Sequence, residues 1–294
     1  MKSLKEIIDI LNYRGYLKFV PDEVWLKYKY KQVFGKELDL NNPVTFNEKL
    51  QWMKLNYKNP LCSKMVDKIT AKEYVKKLLG DKIKTIPTVG VWDSFDDINF
   101  DSLQDQFVLK CNHDSGGLVI CRDKSKFDRD SAKKKIMKCL KTNYFWHGRE
   151  TVYKEIKPKI FAEKYMEDKQ GNQLTDYKFY CFDGQVKLLY ISTGLENHKT
   201  AKISFYDLSF NQMPFSRTDY RVFDKTPAKP RHFDEMIKLS EILSSGFPFL
   251  RVDLYEINDE IYFSELTFIP CSGLMKVSPE KWDFEMGKWL KLPK

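Results

Sequence analysis

Two acidic residues, Asp253 and Glu265, stand in the segment FPFLRVDLYEINDEIYFSELTF among residues that are otherwise typical of β-strands. Both halves are rich in β-branched and aromatic residues, and the polar tract at 258–260 is a turn signal, so the segment predicts a β-hairpin. A loop with an odd number of residues would pair Ile257 with Ile261 and set Asp253 directly opposite Glu265. An even loop would place the two acids on different faces, and the hairpin sequence alone leaves both registers open.

The odd register would give one face of the hairpin Arg251, Asp253, Glu265 and Thr267, while the other face would be apolar. Like charges directly opposite each other on a sheet repel, so the pair of acids is unfavourable unless a cation lies between them. Mg²⁺ takes oxygen ligands, commonly one or two carboxylates together with the phosphates of a nucleotide. In that register the hairpin predicts a divalent-cation site with Asp253 and Glu265 as ligands.

A second stretch, QFVLKCNHDSGGLVI, predicts a strand that ends near Lys110, a polar turn with Ser115, Gly116 and Gly117, and another strand. The two glycines would let backbone amides approach phosphate oxygens closely, and Lys110 would supply a positive charge. The alternative is an ordinary hairpin turn with a surface lysine, because the turn matches neither a Walker A loop nor a Rossmann fingerprint.

A third element joins KIFAEKYMED to TDYKFYCFDG, where Glu163 and Asp176 lie at the ends of hydrophobic strands. Backbone groups there could bind an adenine base, and a carboxylate could bind ribose hydroxyls. Surface charges on edge strands are the alternative interpretation.

The composition limits the class of partner and the compartment. The formal net charge of +9 over 294 residues favours an acidic partner, yet no nucleic-acid-binding signature accompanies it, so we expect no nucleic acid. Six scattered cysteines without a CxxC pair predict reduced thiols, and the four dispersed histidines predict no zinc site, although His113 lies beside the glycine turn. We find neither an apolar run of membrane-spanning length nor a signal peptide, and expect a soluble, cytoplasmic protein.

The order of the elements predicts an α+β fold with largely antiparallel sheets. Residues 1–84 are predicted to be mainly helical, with a capping box of Thr45 and Glu48 opening the helix TFNEKLQWMKL. Residues 85–158 alternate between strand and helix, and strands dominate residues 159–294 around one helix near HFDEMIKLSEILSS. The basic N-terminal region would suit a peripheral contact with the inner face of a membrane.

This order of motifs resembles the ATP-grasp superfamily. The segments TFNEKLQW, DKITAKEYV, DYKFYCFDG and RVDLYEINDEIYFSELTFIPCSG are similar, more closely, to the TupA-like branch, which is linked to teichuronopeptide and capsule biosynthesis. The resemblance runs from about residue 20 to the C-terminus. It implies an ATP-grasp fold with a helical N-terminal region at 1–84, a lid subdomain at 85–158 and a C-terminal subdomain with a metal site at 159–294. It also implies ATP and Mg²⁺ as cofactors.

The resemblance assigns the nucleotide site residue by residue. DKITAK and FVLK match the two lysine motifs for phosphates, the glycine turn would cover those phosphates, and AEKYM matches the hinge at the adenine. The DYK motif places an acid at the ribose and a lysine at the nucleotide. The residues so implied are Lys72, Lys110, Ser115, Gly116, Gly117, Glu163, Tyr165, Met166, Asp176 and Lys178.

The resemblance also assigns the metal strands. RVD and SELT imply Arg251 as a catalytic cation beside Lys110, and Asp253 and Glu265 as ligands of Mg²⁺. Thr267 stands where the superfamily has a metal-binding asparagine and is a weaker ligand, which puts a second metal ion in doubt. Cys271 stands where related sequences often have glycine, in the loop at the acceptor.

The activity that the resemblance implies is ATP-dependent ligation of a carboxylate to an amine. The carboxylate would attack the γ-phosphate to give an acyl phosphate, which the amine then captures. The expected partners are an amine or amino acid and a carboxylated sugar or glycan of a surface polysaccharide. A glycosyltransferase using Asp128 and Asp130 as an Asp-x-Asp motif is one alternative. A non-catalytic protein that binds nucleotide or glycan is the other.

Overall fold

A computed structural model describes residues 3–167, 174–195 and 199–293, so that His198 lies outside the described residues. The helices in these ranges are α1 (Leu4–Tyr13), α2 (Asp22–Phe34), α3 (Phe46–Asn56), α4 (Pro60–Val66), α5 (Thr70–Leu79), α6 (Arg129–Leu140), α7 (Phe145–Gly148), α8 (Phe233–Ser244) and α9 (Lys281–Trp289).

The strands form sheets in which the described pairs are antiparallel, apart from the parallel pair β1 and β11. The α+β prediction with largely antiparallel sheets is therefore confirmed. The strands are β1 (Lys84–Thr85), β2 (Thr88–Trp92), β3 (Phe107–Cys111), β4 (Leu118–Cys121), β5 (Ile160–Lys164), β6 (Asp176–Phe182), β7 (Gln185–Thr193), β8 (Lys202–Tyr206), β9 (Ser216–Arg217), β10 (Phe249–Ile257), β11 (Glu260–Thr267) and β12 (Val277–Ser278).

The chain divides into two compact units, each built from three segments. The first unit comprises Met1–Pro21, Asn59–Glu73 and Ile86–Met166, and the second comprises Asp22–Lys58, Tyr74–Thr85 and Glu167–Lys294. Strand β5 pairs with β2 and β3 and so belongs to the first unit. The subdomain boundaries after residues 84 and 158 stay a prediction.

The first unit contains a four-stranded sheet in the order β2, β5, β3, β4. Alternate residues of β3, including Phe107 and Leu109, are buried in a core that also contains Ile136 of α6. Because side chains alternate across a strand, Val108 and Lys110 point to the opposite face. This pleat places Lys110 on the face of the sheet away from the core.

The second unit contains a six-stranded sheet in the order β1, β11, β10, β6, β7, β8. On one face, Phe179 packs against Phe233 of α8, with ring centroids 6.0 Å apart. On the other face, Phe46 of α3 packs against Phe182 and Phe249, with centroids 5.6 and 5.0 Å apart. The predicted capping box holds α3 in place, since Thr45 and Glu48 exchange hydrogen bonds at its first turn.

All six cysteines are free thiols, and four of them are buried. Within the described ranges, we find no helix with both the length and the apolar character that crossing a bilayer requires.

Candidate active site

The hairpin of β10 and β11 turns through two residues. Asn258 and Asp259 have positive φ angles of 53° and 64°, as a tight type I′ turn requires. Ile257 consequently pairs with Glu260. Of the two registers that the sequence left open, the structure has the even loop, because asparagine and aspartate tolerate the left-handed conformation and close the loop one residue earlier.

The two acids nevertheless face each other, because a β-bulge follows farther along the hairpin. Leu254 pairs with Phe263, whereas Asp253 pairs with Glu265, so Ser264 is the extra residue of β11. A bulge puts two residues opposite one and shifts the alternation of side chains by one position. The opposition of Asp253 and Glu265 is confirmed, although it arises from an even loop and a bulge instead of an odd loop.

Asp253 lies in a buried group of four charged side chains. The Arg251 guanidinium donates from Nε to Oδ1 and from Nη2 to Oδ2 of Asp253, each at 2.7 Å. The Lys178 ammonium donates to Oδ2 of Asp253 at 2.5 Å and lies 3.1 Å from Asp176. We call Asp176, Lys178, Arg251 and Asp253 the charged quartet; it holds two carboxylates and two cations.

Burial and pairing act in opposite directions on the pKa values of Lys178 and Asp176. Burial alone would lower the pKa of Lys178, but Asp176 and Asp253 outweigh it and raise that pKa well above its ordinary value. Burial raises the pKa of Asp176, and Lys178 offsets only part of that effect. Lys178 is therefore held as a cation inside the protein.

The oxygen atoms next to the quartet suit a hard cation. The Glu265 side chain is 26% exposed, and its Oε2 lies 3.6 Å from Nη2 of Arg251. Thr267 Oγ1 is buried without a hydrogen-bond partner. Over the residues that the structure describes, no group of three or more His, Cys, Asp or Glu side chains could hold a metal. Mg²⁺ fits here if a nucleotide supplies the remaining oxygens, as it commonly does.

Strand β7 adds two residues that the sequence analysis missed. Tyr190 pairs with Lys178, and Ser192 pairs with Asp176, so both lie on the face that carries the quartet. Ser192 Oγ and Asp176 Oδ1 are buried, and neither has a hydrogen-bond partner. The sequence analysis missed Tyr190 and Ser192 because they stand in the largely apolar run VKLLYIST. Side chains alternate between the two faces along a strand, so aligning this run with the preceding strand DYKFYCF could have indicated them.

In the first unit, Glu163 binds both predicted lysines. Lys110 donates to Oε2 of Glu163 at 2.5 Å, and Lys72 donates to Oε1. Lys72 also donates to the Ile86 carbonyl at 2.7 Å and to Thr88 Oγ1 at 2.8 Å. The structure thus brings the three residues into one cluster, in which two ammonium groups share one buried carboxylate.

The pKa values of Glu163 and Lys72 follow from burial and charge. Burial alone would raise the pKa of Glu163, but the ammonium groups of Lys110 and Lys72 lower it below its ordinary value. Burial lowers the pKa of Lys72, and Glu163 offsets part of that effect. The carboxylate is therefore ionised at neutral pH and orients both lysines.

Apolar side chains lie in a row with Lys110 across one face of the four-stranded sheet. Val91 pairs with Phe161, Phe161 with Lys110, and Lys110 with Leu118, so the four side chains follow one line across the strands. Val91 is 42% exposed and Leu118 is 37% exposed. Apolar side chains beside cations are a combination that suits the base and the phosphates of a nucleotide.

The glycine turn is tightly constrained at only one of its two glycines. The Gly117 amide donates to Oδ1 of Asp114 at 3.0 Å, and a Cβ on Gly117 would lie 2.8 Å from Cys111 Sγ. Ser115 and Gly116 are exposed, and a Cβ on Gly116 would meet nothing within 4 Å. Gly117 is needed for close packing, while Ser115 and Gly116 present the accessible part of the turn.

His113 is a structural residue of this turn. Its ring is buried, and Nε2 lies 3.0 Å from the Thr142 carbonyl. The preceding residue, Asn112, is also buried, donates to Asp67 at 2.7 Å and accepts from the Lys159 amide at 2.7 Å. These hydrogen bonds hold the turn against the rest of the first unit.

The predicted hinge residues Tyr165 and Met166 are half-buried. The Tyr165 hydroxyl accepts from Nε of Arg122 at 3.2 Å, and the guanidinium lies 5.6 Å from the tyrosine ring centroid. Tyr165, Lys164 and Arg122 line a groove of about 710 Å³. The role of the hinge at an adenine base stays a prediction.

The Asp-x-Asp motif has a structural role at its first acid. Asp128 is the N-cap of α6 and accepts from the Ser131 amide at 3.0 Å. Its carboxylate satisfies an otherwise unpaired helix amide. This hydrogen bond gives Asp128 a structural role at the start of α6.

Residues 48–291 of the chain match the family model described as TupA-like ATPgrasp. No curated protein matches the sequence. The D-alanine–D-alanine ligase of Helicobacter pylori is 17% identical with a TM-score of 0.41, over 77% of this chain and 61% of that one.

Two further solved structures show a similar degree of likeness. The D-alanine–D-alanine ligase of Bacillus anthracis, complexed with ATP, is 17% identical with a TM-score of 0.40, over 79% of this chain and 64% of that one. The N5-carboxyaminoimidazole synthetase of Staphylococcus aureus is 16% identical with a TM-score of 0.39, over 69% of this chain and 44% of that one. The chain thus spans less than two thirds of the length of these enzymes. The family match covers most of the chain, and the protein belongs to the TupA-like ATP-grasp family.

Proposed function

We propose that the protein is an ATP- and Mg²⁺-dependent carboxylate–amine ligase that works through an acyl phosphate. The observation that carries the proposal is the sheet face of the second unit, where Lys178 and Arg251 both pair with the buried Asp253 and Arg251 lies 3.6 Å from the partly exposed Glu265. Membership of the ATP-grasp family supports the nucleotide and the reaction class.

The bond changes of the proposed reaction are simple. A carboxylate oxygen of the acid attacks the γ-phosphorus of ATP, ADP leaves, and an acyl phosphate forms. The amine nitrogen then attacks the acyl carbon, inorganic phosphate leaves, and the nitrogen loses a proton. Both steps build negative charge on phosphate oxygens, so preorganised cations accelerate them.

Named side chains would have distinct tasks in this reaction. Lys72 and Lys110 would bind phosphates, exchanging part of their contact with Glu163 for phosphate oxygens. Arg251 would stabilise the charge that develops on the transferred phosphoryl group, because Asp253 already fixes its orientation. Mg²⁺ would be held at the paired acids, through Glu265 as the accessible member, and would neutralise nucleotide oxygens.

The finer part of the proposal concerns substrates and location. We propose an amino acid or other amine as one substrate and a carboxylated sugar of a surface polysaccharide as the other. The net charge of +9 supports an acidic acceptor. We also propose a cytoplasmic location, with peripheral contact at the inner face of a membrane.

Trapping of the acyl phosphate tests the proposal directly. The protein is incubated with ATP, Mg²⁺, hydroxylamine and a panel of uronic acids and acidic amino acids, and hydroxamate and ADP are measured. Hydroxylamine replaces the natural amine, so the right acid should give both products in equal amounts.

Two other outcomes would favour the alternatives. Release of a nucleoside diphosphate from a nucleotide sugar, with no ADP from any acid, would indicate a glycosyltransferase and overturn the ligase. Tight ATP binding without ADP formation on the whole panel would indicate a non-catalytic nucleotide-binding protein.

A further inference from the structure

We propose that the first unit carries a docking surface for a membrane with anionic lipids. This inference rests on the proposed function, since it names the residues that make the peripheral contact proposed there and the class of lipid that they bind. Apolar side chains at the N-terminus would enter the lipid, and lysines of α6 would contact the head groups. The membrane-docking surface consists of Leu4, Ile7, Leu11, Phe19, Lys134, Lys138 and Lys141.

Helix α1 has an apolar row that the protein does not cover. Leu4 is 73% exposed, Ile7 is 44% exposed and Leu11 is 37% exposed. Their spacing of three and four residues puts them on one side of the helix. Asn12 is the one buried residue of α1. Packing against the chain therefore does not account for the row, and exposed apolar side chains that lie together mark a contact with a partner or a membrane.

The turn after α1 presents an aromatic side chain, Phe19, which is 80% exposed. The buried Arg149 guanidinium donates to the Leu17 carbonyl at 2.9 Å and to the Val20 carbonyl at 3.3 Å. It also donates to Oδ1 of Asn12 at 2.8 Å. These bonds tie the chain to the first unit on both sides of Phe19, so its exposure is not the fraying of a chain end.

Helix α6 of the same unit presents a row of ammonium groups. Lys134 and Lys138 of α6 and Lys141 at its C-terminal cap are exposed, and their spacing of four and three residues puts them on one side. Ile136 is buried on the other side. Lys133 forms an ion pair with an aspartate of the same unit, whereas the other three lysines form none within the described ranges. Three uncompensated positive charges favour an anionic partner.

The two rows belong to neighbouring elements. Residues 141–144 join α6 to α7, and α7 packs against α1. Asn12 donates to the Trp146 carbonyl, and the rings of Tyr13 and His147 have centroids 6.0 Å apart. The Lys18 ammonium lies 5.7 Å from the centroid of the Trp146 ring. Apolar side chains and uncompensated lysines thus occur in adjacent parts of one unit.

A bilayer with anionic head groups is the partner that uses both features. An amphipathic helix at a membrane surface buries its apolar side chains at the boundary between head groups and acyl chains. Basic clusters beside such a helix bind anionic lipids electrostatically. A soluble polyanion would attract the lysines but leave Leu4 and Phe19 in water. A second copy of the chain would cover the apolar row but bring further lysines of the same charge.

Co-sedimentation with vesicles tests the inference in the absence of ATP and acid substrate. The full chain is mixed with vesicles of phosphatidylcholine, with or without phosphatidylserine, at low and high salt. The native chain should bind only the vesicles that contain phosphatidylserine, and salt should release it, because screening weakens contacts between exposed charges.

Two combined variants separate the contributions of charge and of apolar contact. Lys134→Gln, Lys138→Gln and Lys141→Gln together should lower the affinity for these vesicles about 100-fold, since each lysine near an anionic surface contributes about fivefold. Leu4→Gln with Phe19→Gln should lower it at least about tenfold, because the apolar contact with lipid is lost.

Each combined variant has a matched control in the second unit. Lys76→Gln, Lys77→Gln and Lys82→Gln together remove three exposed lysines, and Leu208→Gln with Ile242→Gln removes two exposed apolar side chains. Both controls should bind the vesicles as the native chain does. Equal losses in a variant and its control would overturn the inference, because only net charge or general surface character would then matter.

Three other results would also overturn the inference. The first is a native chain that binds neither kind of vesicle, or both kinds equally. The second is binding of a soluble polyuronate without binding of any vesicle, which would assign the lysines to a glycan. The third is a dimer in sedimentation velocity that Leu4→Gln with Phe19→Gln dissociates, which would assign the apolar row to a second copy. Circular dichroism checks the folding of each variant, and if one does not fold, the lipid and salt dependence of the native chain decides.

The two proposals fail in different ways. A chain that binds vesicles with phosphatidylserine but forms no hydroxamate with any acid refutes the ligase and leaves the docking surface in place. A chain that forms hydroxamate but binds no vesicle refutes only the docking surface.

Discussion

Replacement of Lys110 by methionine should weaken the binding of ATP much more than that of adenosine. Methionine keeps a long, unbranched side chain and removes its charge. Lys110 contacts Glu163 at 2.5 Å and is 26% exposed, so its ammonium is both oriented and accessible to a phosphate. Adenosine has no phosphate, so the affinity of the protein for adenosine should not change.

The magnitude follows from the energy of a charged hydrogen bond. Such bonds contribute about 1.5–3 kcal/mol, and the exposure of Lys110 places it near the lower end of that range. Since about 1.4 kcal/mol is a tenfold change, the Kd for ATP should rise about 10- to 30-fold. Glu163 keeps Lys72 as a partner, so the free energy of unfolding should fall by only about 1 kcal/mol.

Isothermal titration calorimetry with ATP and with adenosine measures both affinities. Lys133→Met serves as the control, because this lysine of α6 is 45% exposed and pairs with Asp96 in the same unit. Equal losses of affinity for ATP and adenosine in Lys110→Met would show that the lysine is structural. An equal effect of Lys133→Met would show that only the net charge matters.

Three other predictions concern the turn, the buried acid and the accessible acid. Gly117→Ala should lower the free energy of unfolding by about 1–3 kcal/mol, because the added Cβ would meet Cys111 and Asp114. Gly116→Ala should change it little, because a Cβ there meets nothing within 4 Å. Urea denaturation measures both, and equal effects would contradict the packing argument. The folded pKa of Glu163 lies below its ordinary 4.5, so the stability that this carboxylate contributes is complete above that value and is lost as the pH falls through the folded pKa. Urea denaturation at about pH 7 and pH 4 should therefore show a smaller loss of the free energy of unfolding in Glu163→Gln than in the native chain. An equal loss in both would refute the pairing. Glu265→Gln should reduce the rise in melting temperature that ATP and Mg²⁺ cause, but not the rise that ATP and EDTA cause. A rise with ATP and Mg²⁺ as large as that of the native chain would exclude Glu265 as a ligand.

Local patterns in the sequence determined the elements and the family. The capping box of Thr45 and Glu48 was correct because both its hydrogen bonds lie within one helical turn. Strands such as Phe107–Cys111 were predictable because their alternation and composition are properties of neighbouring residues. The TupA-like ATP-grasp resemblance was confirmed because its motifs are short and occur in a fixed order.

The contacts among the candidate site residues were decided only by the tertiary structure. The bulge at Ser264 depends on how two whole strands fit, which the turn sequence alone does not specify. Lys178 and Asp253 are 75 residues apart in the chain and meet only because β6 pairs with β10 in one register. Glu163 binds Lys72 across 91 residues. A sequence records which charges are present, but strand pairing and burial select their partners, since a buried charge must be neutralised by whichever group the fold brings within reach.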